Sequence, residues 1–268
     1  MTRTRRAVGA FCLLGLMLAS ACGGGGDGGS STRPAVEEPF SYDVTVGIQT
    51  ALRLLGVNGT VTVSGASGGA SSIAITGVRR VEADTLEDAT AQLAALQVDV
   101  TSSATEVLVQ TDQPQFAAGR NYIVNYTIVL PEHLDVSVTT INGDVTVRSL
   151  NADCMITNVN GGIQADAIVG NAVLSLANGN ITASVTLPSG GQIDIGVANG
   201  TIDLSIPQAT SAQFSAMVAT GSITLTNLPL TVPPGSPCTT QACSGTLGSG
   251  DGTIDLDAGN GAIAVRGI

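Results

Sequence analysis

The sequence predicts an all-β fold, a parallel β-solenoid of 18–21-residue coils with one short helix in its N-terminal part. Three observations predict it: an Asn-Gly pair that returns at near-constant spacing, apolar residues that align in columns around that pair, and a composition suited to a thin core. Aromatic residues are 3 %, Trp is absent and Gly numbers 34, while hydrophobic residues reach 43 %. The core must therefore come from many Val, Ile, Leu and Ala side chains, which stacked thin layers accommodate better than a thick interior.

The pair occurs at Asn142-Gly143, Asn160-Gly161, Asn178-Gly179, Asn199-Gly200 and Asn260-Gly261, with Thr220-Gly221 in the same place before the last. The steps are 18, 18, 21, 21 and 40 residues, and the long one is about two periods. Asn58-Gly59, far upstream, carries the same flanks. Three residues after the Asn stand Val145, Ile163, Ile181, Ile202, Ile223 and Ile263; five after it stand Val147, Ala165, Ala183, Leu204, Leu225 and Val265. Four before it stand Val138, Ile156, Leu174, Ile195, Ala216 and Leu256; six before it stand Val136, Cys154, Ala172, Ile193, Phe214 and Ile254. Polar residues fill most positions between. Each unit thus reads as two short strands of period-2 alternation, bent at Asn-Gly, where the backbone must take positive φ.

Two architectures satisfy this pattern. Each unit is one coil of a parallel solenoid, with like residues stacked about 4.8 Å apart, or Asn-Gly closes a hairpin in an antiparallel meander or barrel. The constant period and the constant size class within each column favour the coil.

Upstream of the repeats the pattern is looser. Residues 42–63 and 72–77 read as strands, and Tyr122–Leu130, ended by Pro131, as a strong one. Residues 85–96 read as a helix, with Thr85 and Asp88 at capping-box spacing and Leu86, Ala89, Leu93 and Leu96 on one face. Such a helix can shield an open end of the stack, whose strand edges invite aggregation.

The N-terminus reads as an address label. Met1–Arg6 is basic, Ala7–Met17 is apolar but too short to span a bilayer, and Leu18-Ala19-Ser20-Ala21-Cys22 leads small residues into a Cys. This resembles a bacterial lipoprotein signal, which implies lipidation of Cys22 after removal of residues 1–21; Ala19 stands where Leu is commoner. The alternative is an ordinary signal cut after Ala21. Residues 22–40 read as the anchor Cys and a flexible Gly/Ser tether, and residues 41–268 as the β domain. The expected location is the cell envelope, on the outer membrane or another extracytoplasmic membrane face.

All ten basic residues are Arg, and Arg3, Arg5 and Arg6 lie in the signal, leaving seven against 21 acidic residues in the remainder. An acidic chain without basic stripes excludes nucleic acid as an expected partner. Cys238 and Cys243 flank four residues of a Pro/Gly-rich loop and are expected to pair in an oxidising envelope. Cys154 falls on an apolar column and reads as a small buried hydrophobe.

The strand Ile128-Val129-Leu130-Pro131, the segment Val136-Ser137-Val138-Thr139-Thr140-Ile141-Asn142-Gly143-Asp144-Val145, the recurring Asn-Gly-x-Ile units and the closing Gly250–Ile263 stretch resemble DUF4097, an adhesin-like family of bacterial envelope β-solenoids. The likeness spans roughly residues 45–268 and rests on repeat texture more than on any chemical signature. It implies a β-helical domain facing the periplasm or the exterior, and hints at an accessory role in envelope-stress signalling. It supplies no catalytic or ligand residues.

Catalytic chemistry is sparse. His133 is the sole His and sits in a turn, so a His-based metal site or Ser-His-Asp triad would hang on it alone. Asp194 and Asp203 fall in adjacent strands of one unit, and Asp255 and Asp257 share a strand face, pointing away from the core. Paired carboxylates serve polysaccharide-active β-helix enzymes, but here no aromatic stands near to stack a sugar. Residues 248–256 echo one calcium-binding nonapeptide, a motif that needs consecutive copies. No cofactor and no metal site are expected. The expected role is that of a non-catalytic lipid-anchored protein presenting a solenoid surface to an envelope protein or polysaccharide. The alternatives are the stress-signalling accessory and the polysaccharide-active enzyme.

Overall fold

The computed structural model describes residues 33–235 and 238–268. Residues 1–21, read from the sequence as a signal, and Cys22 lie outside them. Eighteen strands and one helix follow in the order β1 (Ala35–Thr45), β2 (Ala51–Leu55), β3 (Val61–Ala66), β4 (Ser72–Glu82), α1 (Leu86–Leu93), β5 (Gln97–Ser102), β6 (Glu106–Asp112), β7 (Asn121–Pro131), β8 (Asp135–Thr139) and β9 (Val145–Leu150). The repeats supply β10 (Cys154–Asn160), β11 (Ile163–Val169), β12 (Ala172–Asn178), β13 (Ile181–Thr186), β14 (Gln192–Ile206), β15 (Ala212–Thr226), β16 (Leu230–Thr231), β17 (Ala242–Leu247) and β18 (Gly252–Gly267).

Each coil sends one strand up to the Asn-Gly bend and one strand away from it, and both halves pair in parallel with the coils on either side. Cys154, Ala172 and Ile193 stand in register before the bend, and Val145, Ile163, Ile181 and Ile202 after it. The first wall therefore runs β2, β8, β10, β12 and the first half of β14, and the second runs β3, β9, β11, β13 and the second half of β14. The antiparallel reading of the repeats fails on this register. Among the described residues antiparallel pairs occur only at the ends of the stack, where β1 joins β4, β4 joins β7, β5 joins β6, and β17 joins β15 and β16.

The column residues line a single dry core between the walls. Ile156, Ile163, Ala165, Leu174, Ile181, Ile195, Ile202, Leu204, Ile254 and Ile263 are all essentially inaccessible, and Cys154 lies among them. Polar side chains also enter this interior: Thr140 and Asn158 occupy the column that Leu176 and Val197 fill in later coils. Asn158 donates to the carbonyls of Gly143 and Asn160, while its own Oδ1 has no partner.

The last coil departs from sequence order. Asn260 does not stack beyond Thr220. Instead β18 lies between β14 and β15, parallel to both, so the coil of Asn260 separates those of Asn199 and Thr220. The 40-residue step holds β16 and β17 and returns the chain to fill a place left open one coil earlier. Asn58 likewise enters as a coil, adjacent to Asn142 although the two lie 84 positions apart in sequence.

At the N-terminal end the coils give way to larger side chains. Tyr122 and Tyr126 are buried, the Tyr126 hydroxyl sits 2.7 Å from Thr111 Oγ1, and Phe40 meets the Tyr126 ring edge-on. Helix α1 packs against β1 and β4, closing this end of the core. Thr85 caps it by accepting from the Asp88 amide, as the capping-box spacing predicts. Ala89, Leu93 and Leu96 face the core, but Leu86 is exposed, since a first-turn side chain here lies beyond the reach of the sheet. Strand β1 begins at Ala35, so the last six residues of the stretch read as tether are strand. The segments read as one strand over 42–63 divide into the end of β1, β2 and β3. Among the described residues no helix is long and apolar enough to cross a membrane.

Candidate functional site

The outward surface of the solenoid is organised by the same register as its core. Side chains that alternate with the apolar columns form ranks running from coil to coil. The most regular is at the bend itself. Asn142 donates to Asn58 Oδ1 at 2.6 Å, Asn160 to Asn142 at 2.8 Å, Asn178 to Asn160 at 3.0 Å, Asn199 to Asn178 at 3.0 Å and Asn260 to Asn199 at 2.9 Å. Asn58 ends the run by donating to the Tyr122 carbonyl. Six side-chain amides thus point one way along the ridge, each polarising the next. Thr220 has no amide to contribute.

The glycines beside these asparagines carry the strain of the turn. Gly143, Gly161, Gly179, Gly200 and Gly261 have φ between 125° and 152°, and a Cβ on any of them would run into the carbonyl oxygen of the glycine in the adjacent coil. The positive φ falls on Gly and not on Asn, which leaves the Asn side chain free to ladder. These turn residues have a structural role.

Lesser ladders hold the remaining corners. Asp135 accepts from the Asp153 amide, Asp153 from Asn171, and Asn171 from the Gln192 amide. Asp144 accepts from the Gly162 amide and Asn180 from Thr201.

The carboxylates singled out from the sequence are regrouped by the fold. Asp194 and Asp203 belong to one strand, β14, but lie on either side of its bend, outward on different walls. Asp194 instead stands directly beside Asp255 of β18, with Asp257 two residues further along the same face. All of these side chains are exposed, and their neighbours in the rank are Val173 and Ser215. This is an exposed acidic patch, and Asp257 at its end also lines an open, largely apolar hollow with Met217, Val218 and Gln241. Asp194 and Asp255 stand on the open strand face outside that hollow, exposed to water. His133 is exposed in the turn after β7, remote in sequence and register from that patch.

Asp251, of the calcium-like segment, accepts from Ser249 Oγ at 2.7 Å and from Ser211 Oγ at 3.1 Å, pinning the turn before β18. Among the described residues no group of three or more His, Cys, Asp or Glu side chains converges to hold a metal ion. Cys238 and Cys243 form a disulfide, and Cys154 is a buried free thiol whose pKa burial pushes up to about 12. The charged pairs that the fold does assemble lie at its N-terminal end. Arg80 bridges Glu37 and Glu82, and Arg120 grips Asp88 with two hydrogen bonds of 2.7 and 2.9 Å.

Sequence reasoning missed the Asp194–Asp255 adjacency because it depends on the out-of-order insertion of β18. It also missed buried Asn158, whose signal was available: a polar residue two places before the turn, where other coils carry Leu176 and Val197.

No protein with a curated description matches the chain. Among solved structures, a "putative cell adhesion protein" of Clostridium sporogenes is similar at 12 % identity and a TM-score of 0.49, over 86 % of this chain and 100 % of that one. A "putative adhesin" of Bacteroides fragilis aligns over 86 % of this chain and 97 % of its own at 12 % identity and a TM-score of 0.30. A "putative lipid binding protein" of Parabacteroides distasonis aligns over 86 % and 96 % at 10 % identity and a TM-score of 0.22. At such values these neighbours say nothing of what this chain binds. The family model is decisive: that of Toastrack, DUF4097, matches residues 55–266. The chain belongs to the Toastrack family.

Proposed function

We propose that this chain is a non-catalytic protein, anchored in the cell envelope by lipid on Cys22, whose solenoid flanks are the surface that an envelope protein or polysaccharide contacts. The observation that supports this reading best is the disposition of the reactive side chains. Asp194, Asp203, Asp255, Asp257 and His133 all point into solvent from flat strands or a turn. A rigid wall of short side chains in fixed ranks offers many shallow contacts and no enclosed reaction centre. The small-residue run into Cys22 and the Gly-rich segment after it fit a protein held off a membrane by a tether. The reading includes no nucleic-acid partner and no cofactor.

Two measurements test it. Metabolic labelling with a radioactive fatty acid should mark the chain, and Cys22→Ser should abolish the label; an unlabelled wild-type chain removes the anchor from the proposal. Purified protein should leave envelope polysaccharides intact. Cleavage that disappears in Asp194→Asn or Asp255→Asn would make the chain an enzyme.

A further inference from the structure

The second wall is left open at its far end. Over Ser222–Thr226, β15 has β18 on one side, whereas β17 covers only Ala212–Met217. Among the described residues no strand lies beyond this segment. Ile223 and Leu225 are consequently half-buried, while Ile202, Leu204, Ile263 and Val265 of the same columns are fully buried. Inward residues of this wall direct their N–H groups to the next coil, as Val145 does to the Gly162 carbonyl and Ile163 to that of Asn180. At Ile223 and Leu225 there is no next coil.

A short disulfide ring takes up part of that edge. The carbonyls of Thr240 and Gln241 accept from the amides of Ile223 and Val218, each at 2.9 Å. Both carbonyls belong to the ring closed by Cys238 and Cys243, which are five residues apart. The ring therefore straddles the Thr220-Gly221 bend and plugs the end of the stack. It stops short of Leu225.

We propose that Ser222–Thr226 is a pairing edge for a second copy of this chain, shut by the Cys238–Cys243 ring and opened when a dithiol reduces it. The strand is compatible with itself. A two-fold axis through Thr224 sets Ile223 opposite Leu225 of the second copy and Leu225 opposite its Ile223. Both residues turn the backbone groups that β18 does not engage toward the axis, so the antiparallel ladder forms along the second wall, while β17 and β16 keep the two cores apart at the first. Ala219–Thr226 contains no charge and no Pro, within a chain of formal net charge −11 that repels its copies elsewhere. The opposite terminal strand, β1, carries Glu37, Glu38, Asp43 and Pro39, the usual protection of an edge. Pairing about Thr224 needs the Ile223 amide that the Thr240 carbonyl now holds, which makes the ring a gate. In the opening step the Cys238–Cys243 bond takes two electrons and two protons from the dithiol, giving two thiols, and the dithiol closes to its own disulfide.

The test is light-scattering mass on the full chain in neutral detergent, with and without dithiothreitol. Oxidised protein should be monomeric, and reduced protein should double its mass. Paired Cys238→Ser and Cys243→Ser changes should give the dimer in both conditions, and adding Thr224→Glu should return the monomer. Association through the N-terminal region would ignore both dithiothreitol and Thr224→Glu. If the serine variant does not fold, hydrogen exchange on reduced wild-type protein at low concentration serves in its place. The amides of Ile223 and Val218 should exchange at least tenfold faster after reduction. Equal masses in both redox states, a dimer that survives Thr224→Glu, or amide protection unchanged by reduction overturns the proposal.

Discussion

Asn260 donates its side-chain amide to Asn199 at 2.9 Å, although 61 residues separate them and the coil of Thr220 intervenes in sequence. That contact marks where the C-terminal strand enters the stack, between β14 and β15. The insertion also brings Asp255 beside Asp194. The ridge of amides and the acidic patch are thus products of one topological step.

The amide ladder should contribute measurable stability even though it is exposed. Asn160 donates to Asn142 and accepts from Asn178, so Asn160→Asp removes a donor and sets a carboxylate against the Oδ1 of Asn142. We expect a loss of about 1 kcal/mol in urea denaturation, and less for Asn160→Thr, which copies the side chain at Thr220.

Gly161→Ala should cost more. The residue has φ 127°, and an added Cβ meets the Gly143 carbonyl oxygen, so backbone strain and a clash combine to about 3 kcal/mol or more. Gly196 has open space around it and no positive φ, so Gly196→Ala should shift the midpoint little. Equal effects at the two sites would contradict the close stacking of the turns.

Cys154 should resist thiol reagents until the chain unfolds, because the thiol is buried and its pKa is pushed up to about 12. Its raised folded pKa adds stability that is fully present below the ordinary thiol range. That increment is lost as pH rises toward about 12, because the unfolded chain ionises first. Cys154→Ala should abolish this alkaline component. Cys154→Ser should cost about 1–3 kcal/mol, by placing a hydroxyl among apolar neighbours in the column of Val136 and Ala172. Thiol titration of the folded chain checks the first expectation, and melting curves against pH check the rest.

Arg120 holds the Asp88 carboxyl below the usual carboxylate range through their paired hydrogen bonds. A depressed folded pKa means that the contribution is present above the unfolded value and lost as pH falls through the folded one. Arg120→Gln should therefore flatten the acid limb of the stability profile and loosen α1, seen as faster exchange of its amides.

Much of this architecture is legible in the residues because a solenoid repeats its physics. Ile163, Ile181 and Ile202 share one environment, so their spacing states the register directly. The helix was readable from Thr85 and Asp88 for the same local reason. The order of the last coils was not, because Asn260 carries the same turn signal wherever it stacks, and the choice of neighbour depends on β17 and β18 folding back together. The candidate carboxylates suffered accordingly. Asp194 and Asp203 are close along the chain, but the bend at Asn199-Gly200 sends them to different walls, while Asp194 and Asp255 meet only through that long-range pairing.

The insertion of β18 can be tested by cross-linking two engineered pairs under mild oxidation. Asp194→Cys with Asp255→Cys places thiols on directly paired positions of β14 and β18, and Asp194→Cys with Ser215→Cys places them on strands that β18 separates. The first pair should form an intramolecular disulfide rapidly and the second should not. Rapid closure of the second pair, with the first remaining open, would mean that the coils stack in sequence order and would contradict the fold on which the presented surface depends.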